Sequence, residues 1–195
     1  MRPNQWAALV GVAVLLVVAF ALGQRGDGER GSADATRQLA ALRSAAALLP
    51  CPAAGLGPDF PDARLPCLDG GPEVPLRGSV GQPTLVNVWG TWCAPCVEEV
   101  PDLVAFSRKA AGRVGLVGVL TQDTERNGLA FADQFDAHYP QLVDDQRLVL
   151  SRYGAGAPLT LFLDGRGTVV HVESGSMDSL EEIEQLVAIH LGVRL

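Results

Sequence analysis

Two cysteines separated by two residues are the clearest chemical feature of this 195-residue chain. Cys93 and Cys96 lie in the segment WGTWCAPC, residues 89–96, between a β-forming apolar run and a helical pattern. Unpaired amides and the helix dipole stabilise a thiolate at a helix N-terminus, so this position predicts that Cys93 is the attacking nucleophile. Cys96 follows one turn later and can resolve a mixed disulfide. The motif therefore predicts thiol–disulfide exchange.

Other uses of a C-x-x-C pair fit this chain less well. A zinc site would need Cys51 and Cys67, which lie 16 residues apart and form no second C-x-x-C. A purely structural disulfide across such a short loop would stabilise the fold little. Covalent haem attachment requires a histidine after the second cysteine, and this chain has Val97 there. We expect no metal and no cofactor.

The N-terminal region is strongly apolar. Residues 6–22 hold 16 apolar side chains in 17 positions, and as a helix they would extend about 26 Å, close to the thickness of a bilayer core. A buried core helix would carry a polar stripe, which this segment lacks. We predict a transmembrane signal-anchor over residues 1–24. The sequence Ala19-Phe20-Ala21 leaves open secretion after signal-peptide cleavage near Ala21.

Composition limits the compartment and the partners. Four cysteines behind an export-type N-terminus are typical of disulfides in an oxidising space, so we expect the catalytic domain on the extracytoplasmic side of a single-pass cell-membrane protein. The net charge of −7, without a basic cluster, argues against nucleic acid as a partner. Lys109 is the one lysine, which disfavours Schiff-base chemistry.

The elements that must position the cysteines follow from periodicity. Residues 25–57 are expected to form a stalk and a short amphipathic helix, Asp34–Leu49, which Pro50 would stop. Residues 58–195 are expected to form the main domain, with an N-terminal hairpin from Ala63–Leu65 and Glu73–Leu76. The remaining predicted elements are the strand Thr84–Trp89, helix Ala94–Ala111, strand Val114–Leu120, helices Glu125–His138 and Asp145–Tyr153, strands Leu159–Leu163 and Thr168–Glu173, and helix Met177–Leu191.

The segment NVWGTWCAPCVEEVP resembles the active-site segment of the TlpA/ResA/CcmG-like, membrane-tethered branch of the thioredoxin superfamily. The βαβ and ββα order over residues 58–195 is similar to its fold. The resemblance implies an α/β thioredoxin-like fold with a central mixed sheet flanked by helices. It also implies protein disulfides as substrates, apocytochrome c among them, and a membrane electron donor or oxidant protein as partner.

The resemblance also implies roles for residues near the cysteines. Glu99 matches an acidic residue that would exchange a proton with a thiol, although a solvated helix face is the alternative. Pro101 matches the proline inside the active-site helix. Pro158 matches the cis-proline loop that faces the active cysteine, which makes Ala157 a substrate-contacting position. Asn87 stands where cytoplasmic thioredoxins keep a buried acid.

Further substrate-contacting positions are expected around the motif. Trp92 is expected to be a partly exposed wall of the substrate groove, with Ala94 and Pro95 beside it, whereas Trp89 is expected in the core. The three histidines share no ligand spacing.

Cys51 and Cys67 lie outside the family pattern. We interpret them as a structural disulfide worth about 3 kcal/mol, with a second redox pair as the alternative. Three functions remain open: a protein-disulfide reductase, which is preferred, a thiol oxidase for secreted proteins, and a non-catalytic thioredoxin-fold binding module.

Overall fold

A computed structural model describes residues 33–195 of the chain. The predicted signal-anchor over residues 1–24 and the first part of the stalk lie outside the described residues. Among the residues that are described, no helix is both long and apolar enough to cross a membrane. The chain divides into two units, residues 1–41 and 42–195.

The described residues 33–46 are helical and form α1. The prediction that it reaches Leu49 was wrong, because Ala47 has a left-handed φ of 44° and turns the chain before Pro50. Leu49 is 57% exposed, and its amide donates to the carbonyl of His138 at 2.7 Å. Leu49 therefore does not belong to the apolar face of a helix.

The second unit contains seven strands and four helices after α1. In chain order they are β1 (Arg64–Leu65), β2 (Val74–Pro75), β3 (Thr84–Trp89), α2 (Ala94–Ala110), β4 (Gly115–Thr121), α3 (Glu125–Gln134), β5 (Gln141–Asp144), α4 (Leu148–Tyr153), β6 (Leu159–Leu163), β7 (Val169–Ser174) and α5 (Leu180–Leu191). The strands β1 and β2 pair antiparallel, which confirms the predicted hairpin.

Five strands form the central mixed sheet in the order β5-β4-β3-β6-β7. The strands β3, β4 and β5 run parallel, whereas β6 is antiparallel to both β3 and β7. All six residues of β3 are buried, as expected for a central strand that is covered on both faces. Trp89 is the last residue of β3, and the C-x-x-C motif follows a few residues later.

The strand β5 was missed by the sequence analysis, which instead began a helix at Asp145. Gln141–Asp144 is short and has a polar residue at each end, so its pattern resembles a loop. The Asp144 carboxylate accepts bonds from the amides of Leu148 and Val149, both at 2.9 Å, and thereby starts α4 later than predicted. These two bonds give the buried Asp144 carboxylate its hydrogen-bond partners.

Two other helices are shorter than predicted. Helix α3 ends at Gln134 rather than at His138, and Asp136 just beyond it has a left-handed φ of 54°. Helix α5 begins at Leu180 rather than at Met177, with Ser179 as its N-cap. The Met177 amide donates to a side chain of α2 instead of entering the helix.

Candidate active site

The motif forms a tight turn between β3 and α2. Cys93 is the N-cap of α2, and its Sγ accepts a bond from the Cys96 amide at 3.3 Å. The Cys93 amide donates to the Gly90 carbonyl at 3.1 Å, which closes the turn. The structure confirms the predicted position of the motif at a helix N-terminus.

The two motif cysteines are joined in a disulfide with a Cα–Cα distance of 5.2 Å, so the structure describes the oxidised form. Cys93 is 4% exposed and Cys96 is fully buried, whereas Ala94 and Pro95 between them are exposed. The first turn of α2 contains no acidic residue. When the disulfide opens, the Cys93 sulfur therefore faces a helix N-terminus that stabilises negative charge.

Glu99 is buried one turn after Cys96 on the same side of α2, with only 2% of its surface exposed. Its carboxylate accepts bonds from the Asn87 side chain at 2.8 Å and from the Met177 amide at 3.2 Å. Burial raises the pKa of Glu99 to about 7, against the opposite effect of these two bonds. The alternative of a solvated helix face is wrong for Glu99, although it describes the neighbouring, exposed Glu98.

Asn87 stands at the position where cytoplasmic thioredoxins were expected to keep an acid, and it holds Glu99 in place. The Asn87 amide group also donates to the Thr160 hydroxyl at 3.0 Å. All three side chains are buried. Glu99 on α2 is thus the buried carboxyl group close to the cysteines, and the Asn87 side chain on β3 donates a hydrogen bond to it.

The loop before β6 contains a cis Ala157–Pro158 peptide bond, as the resemblance implied. Val88 pairs with Leu159, so antiparallel register puts Pro158 opposite the end of β3. Pro158 is buried and its carbonyl accepts a bond from the Gly175 amide at 3.0 Å, whereas Ala157 is partly exposed. The cis-proline loop and the motif turn therefore share one edge of the sheet.

The two tryptophans of the motif have different environments. Trp89 is 2% exposed and its indole donates to the Gln141 side chain at 2.9 Å, which confirms its core position. Trp92 is 53% exposed, and its indole donates to the Thr121 carbonyl at 3.2 Å. A Cβ on Gly90 would lie 2.4 Å from the indole nitrogen of Trp92, so the ring rests directly on the glycine.

Cys51 and Cys67 form a second disulfide, with a Cα–Cα distance of 6.0 Å. Cys67 forms an isolated antiparallel bridge with Leu142 of β5, and the Cys51 sulfur lies 3.3 Å from the Gln141 carbonyl oxygen. A ligand atom of Asp69 lies within 4.8 Å of both sulfurs. Neither sulfur is a free thiolate in this form, so the group lacks the ligands that a metal would need.

The histidines do not gather around the motif. His138 bonds to the Ala46 carbonyl at 2.9 Å, and His171 stacks on His190 with ring centroids 3.7 Å apart. His171 also lies 3.1 Å from the Glu173 carboxylate.

Sequence analysis missed two residues that hold the site. Gln141 bonds to Trp89, and Asp123 accepts a bond from the Thr91 amide at 2.8 Å. Asp123 follows the carboxyl end of β4, which is parallel to β3, and side chains at adjacent carboxyl ends meet at one edge of a sheet. That topological signal was available, whereas no periodicity marks Gln141.

A model of the family described as Redoxin matches residues 56–187, which is more than half of the chain. The chain belongs to the Redoxin family. This redoxin is 34% identical over 137 residues to thiol-disulfide oxidoreductase ResA of Geobacillus thermodenitrificans, with 68% of the chain and 76% of the relative covered. It is 31% identical over 141 residues to thiol:disulfide interchange protein DsbE of Pseudomonas fluorescens, with 70% and 76% covered.

The fold of this redoxin matches a solved structure from Chlorobium tepidum, a thiol:disulfide interchange protein of the thioredoxin family. The TM-score is 0.57 at 24% identity, with 74% of the chain and 99% of the other protein covered. The redoxin therefore has the predicted thioredoxin-like α/β fold, a central mixed sheet flanked by helices.

Proposed function

We propose that Cys93 and Cys96 carry out thiol–disulfide exchange with protein substrates on the extracytoplasmic side of the cell membrane. Family membership and relatives named as thiol–disulfide oxidoreductases make the chain an oxidoreductase of this class. The observation that carries the proposal is the Cys93–Cys96 disulfide at the N-terminus of α2, with a buried carboxyl group one turn away.

The reductive cycle starts from the dithiol. The Cys93 thiolate attacks one sulfur of a substrate disulfide, and the other substrate sulfur leaves as a thiolate. The Cys96 thiol then loses its proton and attacks the Cys93 sulfur, which releases the second substrate thiolate. Two electrons have passed to the substrate, and the Cys93–Cys96 disulfide has formed. A membrane-bound dithiol donor restores the starting form.

Glu99 supplies the base for the second step. A carboxyl group with a pKa of about 7 is present in both protonation states at neutral pH, so it can accept the Cys96 proton and later return it. Its burial keeps that proton away from bulk water. Glu99 therefore acts on the resolving cysteine, whereas the helix N-terminus acts on the nucleophile.

The substrate groove is built from the exposed surface around the motif. One side consists of Trp92, Ala94 and Pro95. The cis-proline loop forms the other side, through Ala157 next to the buried Pro158. The exposed indole of Trp92 offers an apolar face to a substrate segment. Ala157 is partly exposed, and its backbone would form hydrogen bonds with an extended substrate.

The preferred direction is reduction of a cysteine pair such as that of apocytochrome c. The names ResA and DsbE of the relatives are compatible with it, as they are with oxidation of secreted proteins. Potentials of such pairs span about 150 mV, roughly 7 kcal/mol, so the measured potential of the Cys93–Cys96 couple decides the direction. A strongly oxidising value would favour the oxidase.

The location rests on sequence and on disulfide content. Residues 1–24 are proposed to anchor the chain, or to direct secretion with cleavage near Ala21, and residues 25–57 to act as stalk and helix ahead of the catalytic domain. Two disulfides in the described residues suit an oxidising compartment. Cys51 and Cys67 are proposed to be structural.

Reduction of insulin by the purified protein, with dithiothreitol as electron source, tests the activity. Wild type should accelerate insulin precipitation, and Cys93→Ser should not. Cys96→Ser should accumulate a mixed disulfide through Cys93 that mass spectrometry detects. The double variant Cys51→Ser, Cys67→Ser is the matched control, because it removes a disulfide outside the motif. Inactive wild type, with an intact C-x-x-C, would favour the binding module.

A further inference from the structure

The loop that follows β4, residues 122–124, holds the motif turn from the side. One carboxylate oxygen of Asp123, Oδ2, accepts bonds from the Thr91 amide at 2.8 Å and from the Thr91 hydroxyl. The other oxygen, Oδ1, accepts bonds from the Thr124 amide and from the Asn127 side chain, both at 2.8 Å. The carboxylate is thus fixed on its own loop and reaches across to the turn.

The next residue of the turn is held by the same region. The Trp92 indole donates to the Thr121 carbonyl at the end of β4, at 3.2 Å. Two consecutive residues ahead of Cys93 are therefore bonded to residues 121–123. The path from Cys93 back to β3 contains only one other residue, Gly90, whose carbonyl closes the turn.

The charge of Asp123 strengthens this contact. Partial burial raises the pKa of Asp123, but hydrogen bonds from Thr91, Asn127 and Thr124 outweigh it, and the pKa lies below its ordinary value. The group is a carboxylate at neutral pH, and bonds to an ionised acceptor are stronger than bonds between neutral groups.

The contact matters most after the disulfide opens. In the oxidised form the covalent bond to Cys96 holds Cys93 at the N-cap of α2. In the dithiol form that bond is absent, and the turn itself must keep the Cys93 sulfur against the helix N-terminus. Thiolate stabilisation there falls off within the first turn, so small displacements of Cys93 weaken it.

We propose that Asp123 is a positioning residue for thiol–disulfide exchange, which acts through Thr91 to keep the reduced Cys93 at the N-cap of α2. This inference rests on the proposed function. Loss of Asp123 disfavours the reduced form relative to the disulfide. The Cys93 thiolate becomes less populated, and the couple becomes more reducing.

The direction in which the Cys93 thiolate population and the redox potential change distinguishes positioning by Asp123 from simple electrostatics. A negative charge close to a thiolate disfavours it, so removal of the Asp123 charge alone would populate the Cys93 thiolate more and make the couple more oxidising. Positioning predicts the opposite direction for both quantities. One variant therefore distinguishes the two explanations.

The test compares Asp123→Ala with Asp133→Ala, which removes an exposed carboxylate of α3. Asp123→Ala should slow iodoacetamide alkylation of Cys93 at pH 7 about tenfold. It should shift the equilibrium with a reference dithiol about tenfold toward the disulfide, or about 30 mV. Asp133→Ala should match wild type in both measurements.

Thr91 variants keep the test valid if Asp123→Ala fails to fold. Thr91→Val loses the hydroxyl bond to Asp123 and keeps the amide bond, so it should show a shift of about threefold in the same direction. Thr91→Ser restores the hydroxyl and should return to wild type. Shifts absent or reversed in Asp123→Ala and Thr91→Val, with wild type active on insulin, overturn the positioning role. Inactive wild type overturns the proposed function instead.

Discussion

The two disulfides of this redoxin close loops of different length, with 16 residues of separation for Cys51–Cys67 and three for Cys93–Cys96. Chain entropy makes the longer loop the stabilising one. The shorter loop lies at the N-terminus of α2 beside buried Glu99, whereas the longer one joins loop segments next to β5. The surroundings of the sulfur atoms, more than the bond itself, therefore distinguish the proposed structural pair from the proposed catalytic pair.

The largest difference between the two disulfides is expected in activity. Replacement of the nucleophile, Cys93→Ser, should lower insulin reduction by on the order of 10³-fold or more, because no other thiol occupies a helix N-terminus among the described residues. Cys51→Ser with Cys67→Ser should keep activity within about twofold at a temperature where the variant is folded. Loss of exchange in that double variant would make Cys51 and Cys67 a second redox pair.

The ranking should reverse for stability. The double variant Cys51→Ser, Cys67→Ser should lower the free energy of unfolding by about 3 kcal/mol, as the chain-entropy model gives for a loop of this length. Cys93→Ser with Cys96→Ser should lower it by less, since that loop is short. Urea denaturation followed by circular dichroism measures both. Equal losses would contradict the assignment of the longer loop as the structural one.

The pH dependence of stability gives another difference between the two disulfide regions, because Glu99 lies beside the motif disulfide. The pKa of Glu99 is about 7 in the folded chain, so between pH 4.5 and 7 the folded state binds more protons than the unfolded state. The free energy of unfolding should therefore fall as pH rises through this window, by on the order of 2 kcal/mol from this group.

Glu99→Gln should flatten that fall, as measured by urea denaturation at pH 5 and pH 8. Asp69→Asn is the matched control, because Asp69 lies next to the other disulfide and is only partly buried. That variant should keep the wild-type slope. A wild-type slope in Glu99→Gln as well would show that another group causes the fall.

The smallest effect is expected at the groove. Trp92→Ala removes an exposed apolar face, so it should raise the KM for insulin about threefold to tenfold while leaving reduction of a small aromatic disulfide near wild type. Steady-state kinetics on the two substrates measures the split. Equal losses on both would mean that the bond of Trp92 to Thr121, rather than its exposed face, accounts for the effect.

Four strands of the central sheet and the motif were predictable because their signals are local. The run TLVNVW predicted β3 with its observed bounds, and the pattern after it predicted that the motif lies at a helix N-terminus, where Cys93 is the N-cap. The strand β5 was missed because its end residues, Gln141 and Asp144, are polar yet buried. Their burial depends on partners elsewhere: the indole of Trp89 and the first amides of α4. Local periodicity contains no information about such partners.

The hydrogen bonds that hold the site also join residues far apart in the sequence. Glu99 was expected from the family resemblance, but its bonds to Asn87 and to the Met177 amide join residues 12 and 78 positions away. Asp123 reaches Thr91 across 32 positions. The chemistry of the motif is thus encoded locally, whereas its geometry depends on how β3, α2, the loop after β4 and the segment before α5 meet.

Trp92 gives the active site an optical probe. Its indole is 53% exposed and Trp92 directly precedes Cys93, whereas the Trp89 indole is buried and donates to the Gln141 side chain. Indole emission responds to nearby sulfur and to solvent, so opening of the Cys93–Cys96 disulfide should change the emission of Trp92. With the other two tryptophans replaced by Trp6→Phe and Trp89→Phe, fluorescence would follow that one bond.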